Sequence, residues 1–227
     1  MAVKKSVQVR NPKLIPGDLT INDLSKKGLN PRADARLLQI ANAAASLFFK
    51  KGYVQTTTRD IGKACGISPG HLYYYINSKD DLPAMFAEIH KKDIDKWEKQ
   101  IRKGMKTLPP EESLKKAVLG YVYLVHLRRK MVVFWYHASL HLSDEQNAGI
   151  VDVETRIINL FKDIIELGVR RGQFRVSDSF LTACSIHMMC VSWALKRWLI
   201  KDTRSIDQYA DVCVELVIPM VRGNTIP

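Results

Sequence analysis

The sequence predicts an all-α protein of about nine helices, a small N-terminal head of three helices followed by a larger helical body. Three observations carry that expectation. From Pro31 onward, apolar residues recur three and four positions apart in one segment after another, as on a buried helix face. Thr57 and Ser78 are each followed three residues later by Asp, a pairing that satisfies the free N–H groups of a helix start. No segment alternates apolar and polar residues, and no Asn-Gly hairpin turn occurs. The composition, 46% apolar and 26% charged over 227 residues, is that of a globular chain able to bury a core without staples.

Residues 1–32 hold Pro12, Pro16, Gly17, Gly28 and Pro31 among scattered lysines and read as a flexible basic arm. The first helix follows, with Leu37, Ile40, Ala41, Ala44, Leu47 and Phe48 on one stripe and Gly52 as its stop. Thr57 caps a short second helix through Ile61 and Ala64, and Cys65-Gly66-Ile67 forms a turn. Ser68 caps a third helix, about 68–76, with Pro69 at its first position, where a missing N–H costs nothing. Ser78 then opens a long helix to about Met105, although Pro83 removes a hydrogen bond from its first turns. Its lysines, Lys91 to Lys106, are interleaved with acids and read as a solvated face.

The body continues from Pro109-Pro110 with Leu114, Ala117, Val118, Tyr121, Leu124 and Val125 on one face. Residues 131–142 are apolar nearly all round, which predicts a helix buried on every side. Ile157, Ile158, Phe161, Ile164 and Ile165 mark another helix, stopped by Gly172, and two more follow at roughly 178–200 and 205–221. The last carries Tyr209, Val212, Cys213, Leu216, Val217 and Met220, a stripe too apolar to leave exposed and the expected surface for a second copy.

Lys+Arg number 35 against 23 Asp+Glu, a formal charge of +12, which points to a polyanionic partner. Residues 1–82 hold 13 basic and 6 acidic side chains, net +7, so the excess is concentrated in the N-terminal third. That is the footprint of a nucleic-acid head, although a membrane surface attracts the same charge. The longest apolar runs, such as residues 131–136, fall far short of a membrane span, and no secretory h-region is visible, so a cytoplasmic protein is expected. The four cysteines have no metal-ligand spacing and read as buried thiols. His137 and His141, four apart, lack a third ligand, so no metal site is expected. With no nucleophile elbow, phosphate loop or dinucleotide fingerprint, neither an enzyme nor a cofactor is expected.

Two short helices joined by a glycine-containing turn form a helix-turn-helix, whose second helix fits a DNA major groove. Leu72, Tyr75 and Ile76 fall on its inner face, leaving Pro69, Gly70, His71 and Tyr74 for base edges. Thr57, Thr58 and Arg59 lie where hydroxyls, free N–H groups and a cation meet phosphate, and Lys79 stands at the next helix start as a second phosphate clamp.

Here the sequence resembles the DNA-binding head of the tetracycline-repressor (TetR/AcrR) family of bacterial regulators. The resemblance covers residues 33–93 and rests on Gly52-Tyr53, Thr57-Thr58-Arg59-Asp60-Ile61, Ala64, Gly66-Ile67-Ser68, Gly70, Leu72-Tyr73, Ser78-Lys79 and Leu82. Carried over, the family's DNA contacts fall on Thr58, Arg59, Pro69, Gly70, His71, Tyr73, Tyr74, Tyr75 and Lys79. His71 departs from the Thr, Ser or Ala usual there. The resemblance implies a homodimer on a palindromic operator in double-stranded DNA. It also implies that residues 94–227 form a body that binds a small-molecule effector and dimerises. Tyr121, Phe134, Trp135, His137, Met188 and Trp193 are the candidate pocket, rich in rings with polar tips. Trp193, Arg197 and Trp198 are similar to a pattern in members that sense acyl-CoA thioesters, and aromatic acids fit such a pocket too. The function expected is a ligand-released repressor. The competing readings are a DNA-bound adaptor that recruits a protein partner, and a basic membrane-surface protein.

Overall fold

A computed structural model describes residues 31–138 and 142–223. The proposed arm, apart from its last two residues, lies outside the described residues, as do Ser139 and His141. The described residues form ten helices and no strand: α1 (Pro31–Lys51), α2 (Thr58–Cys65), α3 (Pro69–Tyr73), α4 (Leu82–Met105), α5 (Pro110–Leu127), α6 (Arg129–Ala138), α7 (Asp144–Arg170), α8 (Ser179–Leu195), α9 (Arg197–Ile200) and α10 (Ile206–Arg222). The fold is all-α, as the periodicity predicts.

Several boundaries differ from the sequence reading. The segment 178–200 breaks at Lys196, which separates the short α9 from α8. The third helix ends at Tyr73 and runs on as a turn in which the Tyr75 and Ile76 N–H groups still donate to the Leu72 carbonyl, before the Asn77 and Ser78 N–H groups turn to the Asp81 carboxylate. Ser78 and Asp81 form the expected capping box, but it opens a 3₁₀ turn over Lys79–Asp81. Pro83 therefore lies in the first turn of α4, where it removes no hydrogen bond. Helix α6 is not buried on every side: Met131 to Trp135 are buried, Tyr136 is half-buried and His137 is exposed.

Helices α1–α3 make the head, and α4 leaves it to enter the body between α5 and α7. The body core is built on Trp97, Tyr121 and Phe161, whose ring centroids lie 5.5–5.9 Å apart. Trp97 can sit there because residue 120 is glycine, where a Cβ would come within 2.7 Å of the indole nitrogen. Helix α10 closes the body against α5 and α8. Helix α6 reaches back to α1, so head and body share a packed seam. Among the described residues, no helix is long and apolar enough to cross a membrane, and no cluster of His, Cys, Asp and Glu is arranged to hold a metal ion.

Candidate functional site

The head is held by local capping. Thr57 Oγ1 accepts from the Asp60 N–H at 3.2 Å, and Asp60 Oδ2 accepts from the Thr57 N–H at 2.9 Å. Lys51 also reaches Asp60 Oδ2, at 2.6 Å, and with the Thr57 bonds holds the Asp60 carboxyl well below its ordinary range. The one acid at the start of α2 is thus neutralised in place. Gly66, at φ +65°, provides the left-handed residue that ends α2, and Ser68 caps α3.

What these caps present outward is polar, aromatic and cationic. Leu72 and Ile76 are buried against the head core, while Arg59, Pro69, Gly70, His71, Tyr73 and Tyr74 are exposed. Thr58 Oγ1 lies 3.4 Å from the Tyr73 hydroxyl, joining α2 to α3. The His71 ring stacks parallel to half-buried Tyr75 at 5.7 Å, and Tyr74 meets Tyr75 edge-on at 5.5 Å. A Cβ at Gly70 would have no heavy atom within 4 Å, so this backbone is open to an approaching molecule.

Two of the residues singled out for phosphate contact are turned to inner tasks. The Thr57 hydroxyl is committed to Asp60. Lys79 Nζ donates to the carbonyls of Tyr53, Val54 and Thr56 at 3.0, 3.0 and 3.4 Å and lies 4.7 Å above the Tyr53 ring. An ammonium has three N–H donors, and all three are engaged. Lys79 thus fixes the loop leading into α2 instead of standing free. Spacing alone could not reveal this, because its partners lie 23–26 residues upstream.

In the body, the six candidate pocket residues fall into four places. Tyr121 stacks on His187 at 5.4 Å, and Trp135 faces Phe86 and His90 at 6.0 Å. Met188 is near them, its sulfur accepting from the Tyr136 hydroxyl at 3.4 Å. Phe134 belongs to the seam with the head, 4.9 Å from Phe48, 5.3 Å from Phe86 and 5.7 Å from Tyr53. Trp193 lies elsewhere, donating its N–H to His126 Nδ1 at 2.9 Å and facing Tyr209. His137 is exposed on the surface, two residues beyond buried Trp135.

Sequence reasoning missed His90, Glu154 and His187. Burial holds His90 neutral down to about 3, with Arg128 adding to the effect, and holds His187 neutral to about 4. Burial alone raises the Glu154 carboxyl. The available signal was a polar residue on an apolar stripe, such as His90 after Phe86 and Ala87. Arg128 is buried and bonds Asp93 at 2.6 Å, although burial still holds the Asp93 carboxyl above its ordinary range. Arg129 and Arg197 stand close enough that burial and mutual repulsion lower Arg129, while His126 is lowered by its burial first and then by both arginines. The final stripe also splits. Cys213 and Val217 are buried in the chain's own core, and the Tyr209 hydroxyl donates to the Met189 carbonyl at 2.6 Å. Val212, Leu216 and Met220 face outward, as do Leu181 and Met188 of α8.

Comparison with known proteins follows this division. Residues 40–84 match the family described as bacterial regulatory proteins, tetR family, and residues 107–221 match the tetracyclin repressor-like C-terminal domain. The chain belongs to the TetR family. The HTH-type transcriptional regulator HbdR of Aromatoleum sp. (strain CIB) is 30% identical over 186 residues, 82% of this chain and 80% of HbdR. The HTH-type transcriptional repressor KstR2 of Rhodococcus jostii (strain RHA1) is 27% identical over 168 residues, 72% of this chain and 79% of KstR2. The crystal structure of AibR in complex with isovaleryl coenzyme A and operator DNA has the same fold. Its TM-score is 0.66 at 24% identity, over 81% of this chain and 98% of AibR. As a TetR-family member, the chain is a DNA-binding transcriptional regulator, and its relatives are regulators, not enzymes.

Proposed function

We propose that this TetR-family protein is a ligand-released repressor, bound to a palindromic operator as a homodimer and sensing a small apolar or amphipathic molecule. The observation that carries the reading is the path from the body core to the head. Phe86 of α4 touches Trp135 on one side and Phe134 on the other, and Phe134 packs on Phe48 and Tyr53 of the head. Tyr53 in turn lies under Lys79, which fixes the loop at the start of α2. A molecule entering beside Trp135 and displacing α4 would therefore move the reading head.

The two heads of a dimer must meet successive major grooves about 34 Å apart, so a small tilt of α4 in each protomer breaks the fit. The effector must prefer the tilted state, because a ligand that binds both states equally shifts nothing. The outward apolar residues Val212, Leu216 and Met220, with Leu181 and Met188, support a dimer through α8 and α10. Thr58, Arg59, Pro69, Gly70, His71, Tyr73 and Tyr74 are the proposed DNA-facing set. An acyl-CoA thioester is the favoured effector class. AibR holds one on this fold, and the basic pair Arg129 and Arg197 beside Trp193 offers a place for its phosphates.

Selecting bound fragments from the host genome and footprinting the best one tests the reading. Protection of one short palindrome is expected. Sequence-blind binding, removed by modest salt, would contradict it and favour the adaptor or membrane-surface readings.

A further inference from the structure

Among the described residues, several buried polar atoms of the body have no hydrogen-bond partner, Trp97 Nε1 and Ser113 Oγ among them, and three others stand together. His90 Nδ1, Trp135 Nε1 and His187 Nε2 are buried with no hydrogen-bond partner, on residues only 2%, 3% and 3% exposed. They come from α4, α6 and α8, yet form one neighbourhood: His90 faces Trp135 at 6.0 Å and is within electrostatic reach of His187. Tyr121 stacks on His187, and Tyr121 and Tyr136 both feel the Glu154 carboxyl. Folded proteins satisfy nearly all buried polar groups, so three orphans in one place call for a missing partner.

We infer that this cluster is the recognition site for the buried end of the effector, and that this end carries an uncharged oxygen, a hydroxyl or a ketone. The inference rests on the effector reading above and narrows its chemistry. Trp135 Nε1 only donates, so the incoming atom must accept. Each neutral imidazole offers one N–H and one lone pair, so His90 and His187 can donate to a carbonyl or accept from a hydroxyl. A carboxylate is disfavoured because Arg128, the cation acting on His90, is already bound to Asp93. A plain hydrocarbon end would leave all three orphans unsatisfied.

The probes are the cyclohexylacetyl thioester of coenzyme A and its 4-hydroxy, 4-oxo, 4-amino and 4-carboxy ring derivatives. Binding to the full chain is read by tryptophan fluorescence and by calorimetry. The hydroxy or oxo member is expected to bind at least about tenfold tighter than the parent, the difference one good hydrogen bond makes. That preference should fall below about threefold in Trp135→Phe and His187→Leu. Equal binding of all members, or preference for the amino or carboxy member, overturns the site while leaving the effector reading standing. Binding by no member counts against the thioester effector and this site together. A measurement without ligand stands beside these. Removing an orphaned group should leave the melting temperature of His187→Leu unchanged or raised by about 2–4 °C. A clear fall in both His187→Leu and Trp135→Phe would reveal satisfied structural groups and overturn the inference.

Discussion

The ring of Phe86 meets that of Phe134 edge-on at 5.3 Å, and this contact ties the body core to the head. Phe134 and Trp135 are consecutive on α6 and serve different compartments. The first packs on Phe48 of α1, the second faces His90 of α4. Shortening Phe86 to leucine should loosen both contacts, leaving the dimer intact while weakening the coupling between effector and operator. Measuring operator affinity with and without effector in Phe86→Leu checks this. An unchanged ratio would place the coupling elsewhere.

Lys79 and Arg59 should separate under salt. Arg59 is exposed, whereas all three Lys79 donors are held by backbone carbonyls. Arg59→Ala should lower the slope of log affinity against log salt by about one ion per half-site. Lys79→Met should instead weaken binding by releasing the loop before α2, with little change in slope and a lower melting temperature. Equal slope changes in both variants would mean that Lys79 contacts phosphate after all.

Gly70→Ala isolates the proposed DNA-facing surface. The position has open space around a Cβ and no positive φ, so stability should change by no more than about 0.5 kcal/mol. Operator affinity should fall about tenfold or more, because the added methyl meets only what approaches from outside. His71→Ala should change base preference at one position by about 1–3 kcal/mol of discrimination. A binding logo unchanged by His71→Ala would contradict the assignment.

How much of this was legible in the sequence depends on how local the chemistry is. The caps at Thr57, Ser68 and Ser78 could be read because each joins groups three residues apart. The all-α fold followed from periodicity for the same reason. Lys79 could not be placed, because its three carbonyls come together only when α1 and the loop after it fold back. The stripe from Tyr209 to Met220 was visible as apolar. Its division into inward Cys213 and Val217 and outward Leu216 depends on α10 being covered on one flank only by α5 and α8. His90 and His187 were passed over because a histidine carries no periodic signal, and their shared neighbourhood spans 97 positions of sequence.

That division gives a paired test of assembly. Leu216→Glu places a charge on the outward side of α10 and should yield a folded monomer by light scattering at micromolar concentration. Val217→Glu buries a charge in the chain's own core and should unfold the body. A monomeric wild type, or a dimer that survives Leu216→Glu, would contradict the α8–α10 interface.

Acid should weaken the fold through the buried imidazoles. His90 and His187 stay neutral in the folded chain down to about 3 and about 4, while an unfolded histidine takes its proton near 6.5. Below about pH 6.5 the unfolded state therefore binds protons that the folded state refuses. Stability present above that pH is lost as pH falls, about 2 kcal/mol per histidine at pH 5. Asp93 and Glu154, raised by burial, act in the opposite direction. Comparing the wild type with His187→Leu therefore isolates the imidazole. The variant should show a shallower fall in melting temperature between pH 7.5 and 5, and parallel curves would contradict the assignment.

The central claim, that the body senses a molecule and the head lets go of DNA, is tested most directly by titration. A preformed complex of the dimer with its selected operator is titrated with a panel of acyl-CoA thioesters and free acids, and release is followed by fluorescence anisotropy. Moving the protein from almost fully competent to almost fully released requires about 5.5 kcal/mol of preference between states, roughly a 10⁴-fold difference in affinity. The account predicts that at least one thioester releases the DNA at micromolar concentration and raises the melting temperature of the free protein. If no member of a broad panel does either, the protein senses no such metabolite, and the adaptor reading takes the place of the ligand-released repressor.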